Sequence, residues 1–198
     1  MFPYEGPPGE FVFVHIPKTG GYSVKHLYLS HSKARVKHFH GAGKGDGAGR
    51  NGHIAFNCEI DAKYFTILRD PLTRYWSHYW QYRKRPSRKK NPVRWVLEDN
   101  PHNVVSTYLT GKESATFEEV IDCLKRYVYI GKFEEFDKSY LHISNMLGLA
   151  NPKKFWYNKV SLSHTKDMPQ NFIDAVESKS EIDFQVYDWC KENIWCEE

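Results

Sequence analysis

A lysine, a threonine and two glycines stand together at Lys18-Thr19-Gly20-Gly21, followed by Tyr22 and Ser23. Adjacent glycines let main-chain N–H groups turn inward and approach an anion, and a helix starting there adds its positive end. Thr19 and Ser23 bring hydroxyl donors and Lys18 a mobile charge, so the stretch has the composition of a phosphate cradle. It departs from the nucleotide-binding order G-x-x-x-x-G-K-[ST], because here the lysine precedes the glycines. A second polar cluster, Arg69-Asp70-Pro71 with Ser77, has the types to hold another phosphate, since a helix opened by Pro71 carries Ser77 two turns along. The structural alternatives are an ordinary strand–turn–helix with a surface lysine, and an Arg69–Asp70 ion pair stapling a strand end.

Both clusters need rigid elements to position them. Phe11–Ile16 is a short apolar, β-rich run, and from Ser23 the residues Val24, Leu27 and Tyr28 fall at helical spacing. Tyr64–Leu68 is a second strand candidate, running into a helix from Leu72 to about Tyr82 that Pro71 opens. In each unit a buried strand delivers polar residues to the start of a helix, where open α/β sheets bind ligands. Further on, Phe117–Tyr127 reads as a helix, Tyr127–Ile130 as a strand ending at Gly131, and Phe136–Leu147 as a helix closed by Gly148. Residues 151–169 read as a polar loop, with Asn171–Val176 and Glu181–Lys191 helical. The alternation predicts α/β with a small central parallel sheet flanked by helices. A chain of 198 residues predicts one domain, 1–198, with a lead-in at 1–10, a flexible Gly-rich loop at 41–52 and a basic loop at 82–94.

The net charge of +4 is modest, but Tyr82–Arg94 carries seven cations and no acid. Such a run is either a solvated loop or a surface that draws in a polyanion, a sulfated or carboxylated glycan or a nucleic acid. No apolar run approaches the roughly 20 residues of a membrane span, and the first residues lack a signal peptide's basic and apolar regions, so a soluble, cytoplasmic protein is expected. Cys58, Cys123, Cys190 and Cys196 form no CxxC pair, and reduced thiols are expected, with a Cys190–Cys196 bridge left open. His38 and His40 have an H-x-H spacing without a third ligand suggested by spacing.

His15-Ile16-Pro17-Lys18-Thr19-Gly20-Gly21 with Ser23 resembles the 5′-phosphosulfate loop of sulfotransferases that use 3′-phosphoadenosine 5′-phosphosulfate. Phe65–Pro71 with Arg74 and Ser77 resembles their 3′-phosphate site, in the pattern of the carbohydrate sulfotransferases of the heparan sulfate 2-O and 6-O type and their bacterial relatives. The likeness recurs more weakly at Tyr129–Glu134 and Asp183–Trp189. The resemblance implies a P-loop-kinase-like α/β sandwich. It implies Lys18 at the bridging oxygen as a catalytic group, Thr19, Gly20, Gly21, Tyr22 and Ser23 around the 5′-phosphate, and Arg69 and Ser77 at the 3′-phosphate. His53, in Gly52-His53-Ile54 between the motifs, is the implied general base, because a neutral alcohol attacks poorly.

Ser163, Thr165 and Lys166 occupy a late loop that corresponds to further donor contacts in the family. The implied donor leaves as 3′,5′-adenosine bisphosphate, no metal is required, and the acceptor is a hydroxyl, expected on a glycan. Trp76, Tyr79 and Trp80 either stack on its sugar rings or pack in the core. Many relatives carry Thr or Ser where Tyr22 stands. The chain lacks the family's N-terminal stem and anchor, which implies a soluble enzyme, with Golgi residence only if a leader or anchor has been removed. Two rivals use the same features: a small-molecule kinase shares the fold class, and a non-enzymatic nucleic-acid-binding protein would explain the basic run. With the donor motifs present, no stable nucleic-acid partner is expected.

Overall fold

Four short strands form one sheet in which every neighbouring pair is parallel, in the order β2-β1-β3-β4. They are β1 (Phe11–His15), β2 (Val36–His40), β3 (Lys63–Leu68) and β4 (Tyr127–Lys132). The computed structural model describes residues 11–29, 36–40, 62–84, 91–100, 102–149 and 168–196. β1 and β3 are apolar almost throughout because both of their faces are covered. Phe11 and Phe13 of β1, with Phe65 and Ile67 of β3, pack against α1 (Gly21–Leu29) and α6 (Phe136–Met146). The alternate residues Val12, Val14, Tyr64 and Leu68 pack on the other face against α4 (Val104–Thr110), α5 (Phe117–Leu124) and α8 (Glu181–Asn193). The α/β sandwich with a small parallel sheet between helices, expected from the sequence, is the fold observed.

The strand order places the ligand crevice. β1 leads through α1 to β2 on one side, whereas β3 lies on β1's other side, so the direction of winding reverses between β1 and β3. At such a switch point the loops leaving the two strands diverge and open a crevice at their carboxyl ends. The main-chain ladder between them covers Phe11–Phe13 against Lys63–Phe65. Beyond it the Thr66 hydroxyl donates to the Val14 carbonyl at 2.8 Å, a buried side-chain bridge leading up to the crevice.

A third cluster is rich in aromatic rings and lies off the sheet, between α2 (Pro71–Arg83), α3 (Pro92–Asp99) and α7 (Gln170–Lys179). Trp76 and Tyr79 are buried there, with Trp76 edge-on to Phe172 at 4.8 Å between centroids. These two rings are core residues, and Trp80 packs against the same cluster. The sugar-stacking alternative therefore loses them, because an apolar ring surrounded by rings has no face left to offer.

The structure also redraws several boundaries. Of the basic stretch 82–94, Tyr82 and Arg83 complete α2, while Pro92 and Arg94 belong to the first turn of α3, whose cap is the Asn91 side chain accepting from Val93 N at 2.9 Å. Residues 85–90 lie outside the described residues, as do the Gly-rich loop 41–52 and the lead-in 1–10. Strand β2 and helices α3 and α4 add elements that the sequence reading did not include. Cys123, Cys190 and Cys196 are free thiols. No helix among the described residues is long and apolar enough to cross a membrane, and among them no group of three or more His, Cys, Asp or Glu could hold a metal ion.

Candidate active site

The loop after β1 is shaped by sterics before any ligand is considered. Lys18 has φ 73° and Gly20 φ 83°, so two residues of the turn are left-handed, and at Lys18 that conformation costs a side-chain-bearing residue about 1 kcal/mol. A Cβ on Gly20 would run into the Phe136 ring, and a Cβ on Gly21 into the His15 ring. The glycines are thus required by packing from behind as well as by an anion's approach in front. His15 is buried and stacks on Phe13 at 5.6 Å, which holds its ring under the loop. Gly20 then begins α1: its carbonyl accepts from Ser23 N at 2.9 Å and Val24 N at 3.3 Å, with no acidic side chain in the first turn. The first-turn N–H groups of a helix have no intrahelical partner and present partial positive charge to the crevice.

Thr19 departs from the expected role. It is fully buried, and its hydroxyl donates to the Ile16 carbonyl at 2.8 Å, so the side chain braces the turn and does not face the cavity. Tyr22, by contrast, lines the cavity with its ring 52% exposed and edge-on to His15 at 6.1 Å. It stands at the mouth as an open aromatic face.

The loop after β3 supplies the second cation. Asp70 caps α2 by accepting from Thr73 N at 2.8 Å, and Pro71 takes the first helical position, where its missing N–H costs nothing. This fixes Arg69, 7% exposed, at the very end of β3. Its Nη1 donates to the Lys18 carbonyl at 3.1 Å, its Nε donates to Thr73 Oγ1 at 3.1 Å, and the guanidinium lies 4.3 Å from the centre of the Phe133 ring. One hydrogen bond therefore ties together two loops that are 51 residues apart in the chain. Ser77, two turns into α2, is buried and lines the same cavity.

Lys18, Gly20, Gly21, Tyr22, Ser23, Arg69 and Ser77 thus meet in one cavity of about 290 Å³. Its electrostatics are those of an anion site. Burial, then Arg69 and Lys84, lower the Lys18 ammonium to about 8. Burial lowers Arg69 to about 10 against the opposing charge of Glu134. His78, on the cavity wall, is held near 3 by burial and by the charges of Arg74 and Lys18, and so stays neutral. Cations crowded and desolvated in this way gain most from an incoming anion.

Several wall residues went unnoticed in the sequence. Gln81 lies one helical turn beyond both Ser77 (i+4) and His78 (i+3), a spacing that helical geometry connects. Tyr108 on α4 and Phe133 after β4 arrive from distant elements with no local signal. Arg74, part of the second motif, is not on the cavity wall: it is wholly buried over the Tyr75 ring at 4.2 Å, and its three side-chain nitrogens donate no hydrogen bond among the described residues. His53, Ser163, Thr165 and Lys166 lie outside the described residues.

No family model matches the chain, and no curated protein does. Among solved structures, a sulfotransferase from Alicyclobacillus acidocaldarius is similar over 89% of this chain and 97% of that chain, at 14% identity and a TM-score of 0.47. A likeness of that degree leaves the function of this chain to its own residues.

Proposed function

We propose that the protein is a sulfotransferase that moves a sulfuryl group from 3′-phosphoadenosine 5′-phosphosulfate to a hydroxyl, with a carbohydrate as the acceptor. The observation that carries this reading is the Arg69–Lys18 hydrogen bond, which holds two anion-binding motifs, in the order and spacing of a 5′- and a 3′-phosphate site, against one cavity. A donor with phosphates at both ends suits that arrangement better than a plain nucleotide. The crevice fits such a group on its chemistry: two desolvated cations, a helix start with no acidic residue in its first turn and a buried hydroxyl line it.

When bound, the donor supplies an activated sulfuryl group and a good leaving phosphate. Lys18 and the first-turn N–H groups of α1 hold negative charge on the departing side, where preorganised dipoles contribute most. Arg69 and Ser77 hold the 3′-phosphate. His53 takes the proton of the acceptor hydroxyl, and neutral His78 is too weakly basic for that task. The exposed Tyr22 ring and the cations of residues 82–94 support an acidic glycan as acceptor, Lys84 being close enough for its charge to act on Lys18.

Calorimetry with 3′,5′-adenosine bisphosphate, then a radiolabelled sulfuryl-transfer assay against glycans, phenols and small alcohols, tests the reading. Binding with transfer to a glycan is expected, and a Lys18→Ala variant is expected to lose turnover by roughly a hundredfold or more. Binding of ATP with magnesium but not of the bisphosphate would overturn it in favour of a kinase.

A further inference from the structure

Phe133 and Glu134, at the end of β4, stand behind the Arg69 loop. The Phe133 ring lies against the Arg69 guanidinium, and Glu134 bridges two elements. Its Oε1 accepts from Asp70 N at 3.1 Å, and its Oε2 accepts from the Tyr187 hydroxyl at 2.7 Å. Tyr187 is on α8, buried to 5% exposure, with its ring edge-on to Trp195 at 5.3 Å. Trp195, just past α8, in turn donates from Nε1 to the Ile130 carbonyl of β4 at 2.8 Å, so the end of α8 is pinned to the strand that leads into Glu134. A carboxylate held from both sides in this way has little freedom, and the main chain of Asp70, adjacent to Arg69, inherits its position.

We infer that Glu134, held by Tyr187, is a positioning residue that sets the aim of Arg69 and thereby the preference of this site for a ligand with a 3′-phosphate. The inference rests on the donor reading given above and adds a residue pair that touches no ligand. Arg69 has Nη1 and Nε committed to Lys18 and Thr73, so only a particular orientation of the Asp70 main chain leaves its remaining edge toward the cavity. Glu134 also supplies a negative charge that opposes the lowering of the Arg69 guanidinium by burial and by Arg74.

The test compares 3′,5′-adenosine bisphosphate with adenosine 5′-monophosphate, which lacks only the 3′-phosphate, by calorimetry on the parent and on Glu134→Ala, Glu134→Gln and Tyr187→Phe. Glu134 is exposed on one side, so its variants are expected to melt close to the parent without ligand. Glu134→Ala is expected to weaken the bisphosphate by about tenfold, the value of one charged hydrogen bond, and to leave the monophosphate unchanged. Glu134→Gln keeps an acceptor for Asp70 N and is expected to recover part of the loss, and Tyr187→Phe to lose less than Glu134→Ala. If the parent prefers the bisphosphate and the variants keep that preference, the inference fails and the donor reading stands. Equal weakening of both ligands would reduce Glu134 to a structural prop and also overturns it. A parent that binds neither ligand overturns the donor reading and this inference together.

Discussion

Lys18 combines two unfavourable features, a left-handed backbone and an ammonium lowered to about 8 by burial and by neighbouring cations. In the unfolded chain a lysine holds its proton to about 10.4. Between those values the unfolded state binds a proton that the folded state does not, so folding stability rises with pH across that window and the penalty is fully present below about 8. Lys18→Met is expected to stabilise the ligand-free protein at pH 7 by roughly 1 kcal/mol, or about 2–4 °C in melting temperature, and to flatten the rise of stability above pH 8. The same variant is expected to lose binding of the bisphosphate. Since an anion restores the proton to Lys18, ligand binding above pH 8 is expected to take up protons and to weaken as pH rises. Calorimetry in buffers of different ionisation enthalpy reads that uptake directly. Strain and charge concentrated at one residue are what a group kept for function displays.

Helices α4 and α8 are joined by a reciprocal set of caps. The buried carboxylate of Asp183 accepts from Val105 N, Ser106 N and Ser106 Oγ at 2.7–2.8 Å, while Asn103 Oδ1 accepts from Ile182 N at 2.9 Å. Arg74 in α2 acts on Asp183 through its charge. Asp183→Ala is expected to cost about 3 kcal/mol, measured by urea denaturation, because it removes three hydrogen bonds and leaves Arg74 a buried charge without an acid. Adding Arg74→Met to that variant is expected to recover part of the loss. The sequence showed α8 through its apolar spacing, and it showed α1 and α2 through the Gly-Gly turn and Pro71. It did not show α4, because VVSTYLT is rich in β-branched residues and takes its helical state from these tertiary caps. The start of α3 was legible in Asn91-Pro92, a cap followed by a proline at the first helical position, but the surrounding cations drew the reading toward a loop. Strand β2, VKHFH, is half polar and, among the described residues, pairs with β1 alone, so its pattern is weak.

Across the molecule, the parallel order β2-β1-β3-β4 brings the turn after β1 and the turn after β3 side by side, and the Arg69–Lys18 bond locks them. The bisphosphate is therefore expected to slow amide hydrogen exchange at Lys18–Ser23 and at Arg69–Thr73 over the same range of ligand concentration, with the aromatic cluster of α3 and α7 unaffected. Separate midpoints for the two loops would count against a shared site. The anion chemistry of each motif could be read from the chain, since a glycine turn, a proline start and a serine two helical turns on are short-range features governed by local sterics. Period-2 and period-3.6 patterns likewise announce which face is buried, and so gave the α/β class. They do not say what buries it. The meeting of the two loops, the commitment of the Thr19 hydroxyl to Ile16, the arrival of Tyr108 and Phe133 on the cavity wall and the Glu134–Tyr187 bridge all depend on contacts between distant segments. So do the lowered ammonium of Lys18 and the neutral ring of His78, because desolvation is a property of the packed surroundings and not of the residue that feels it.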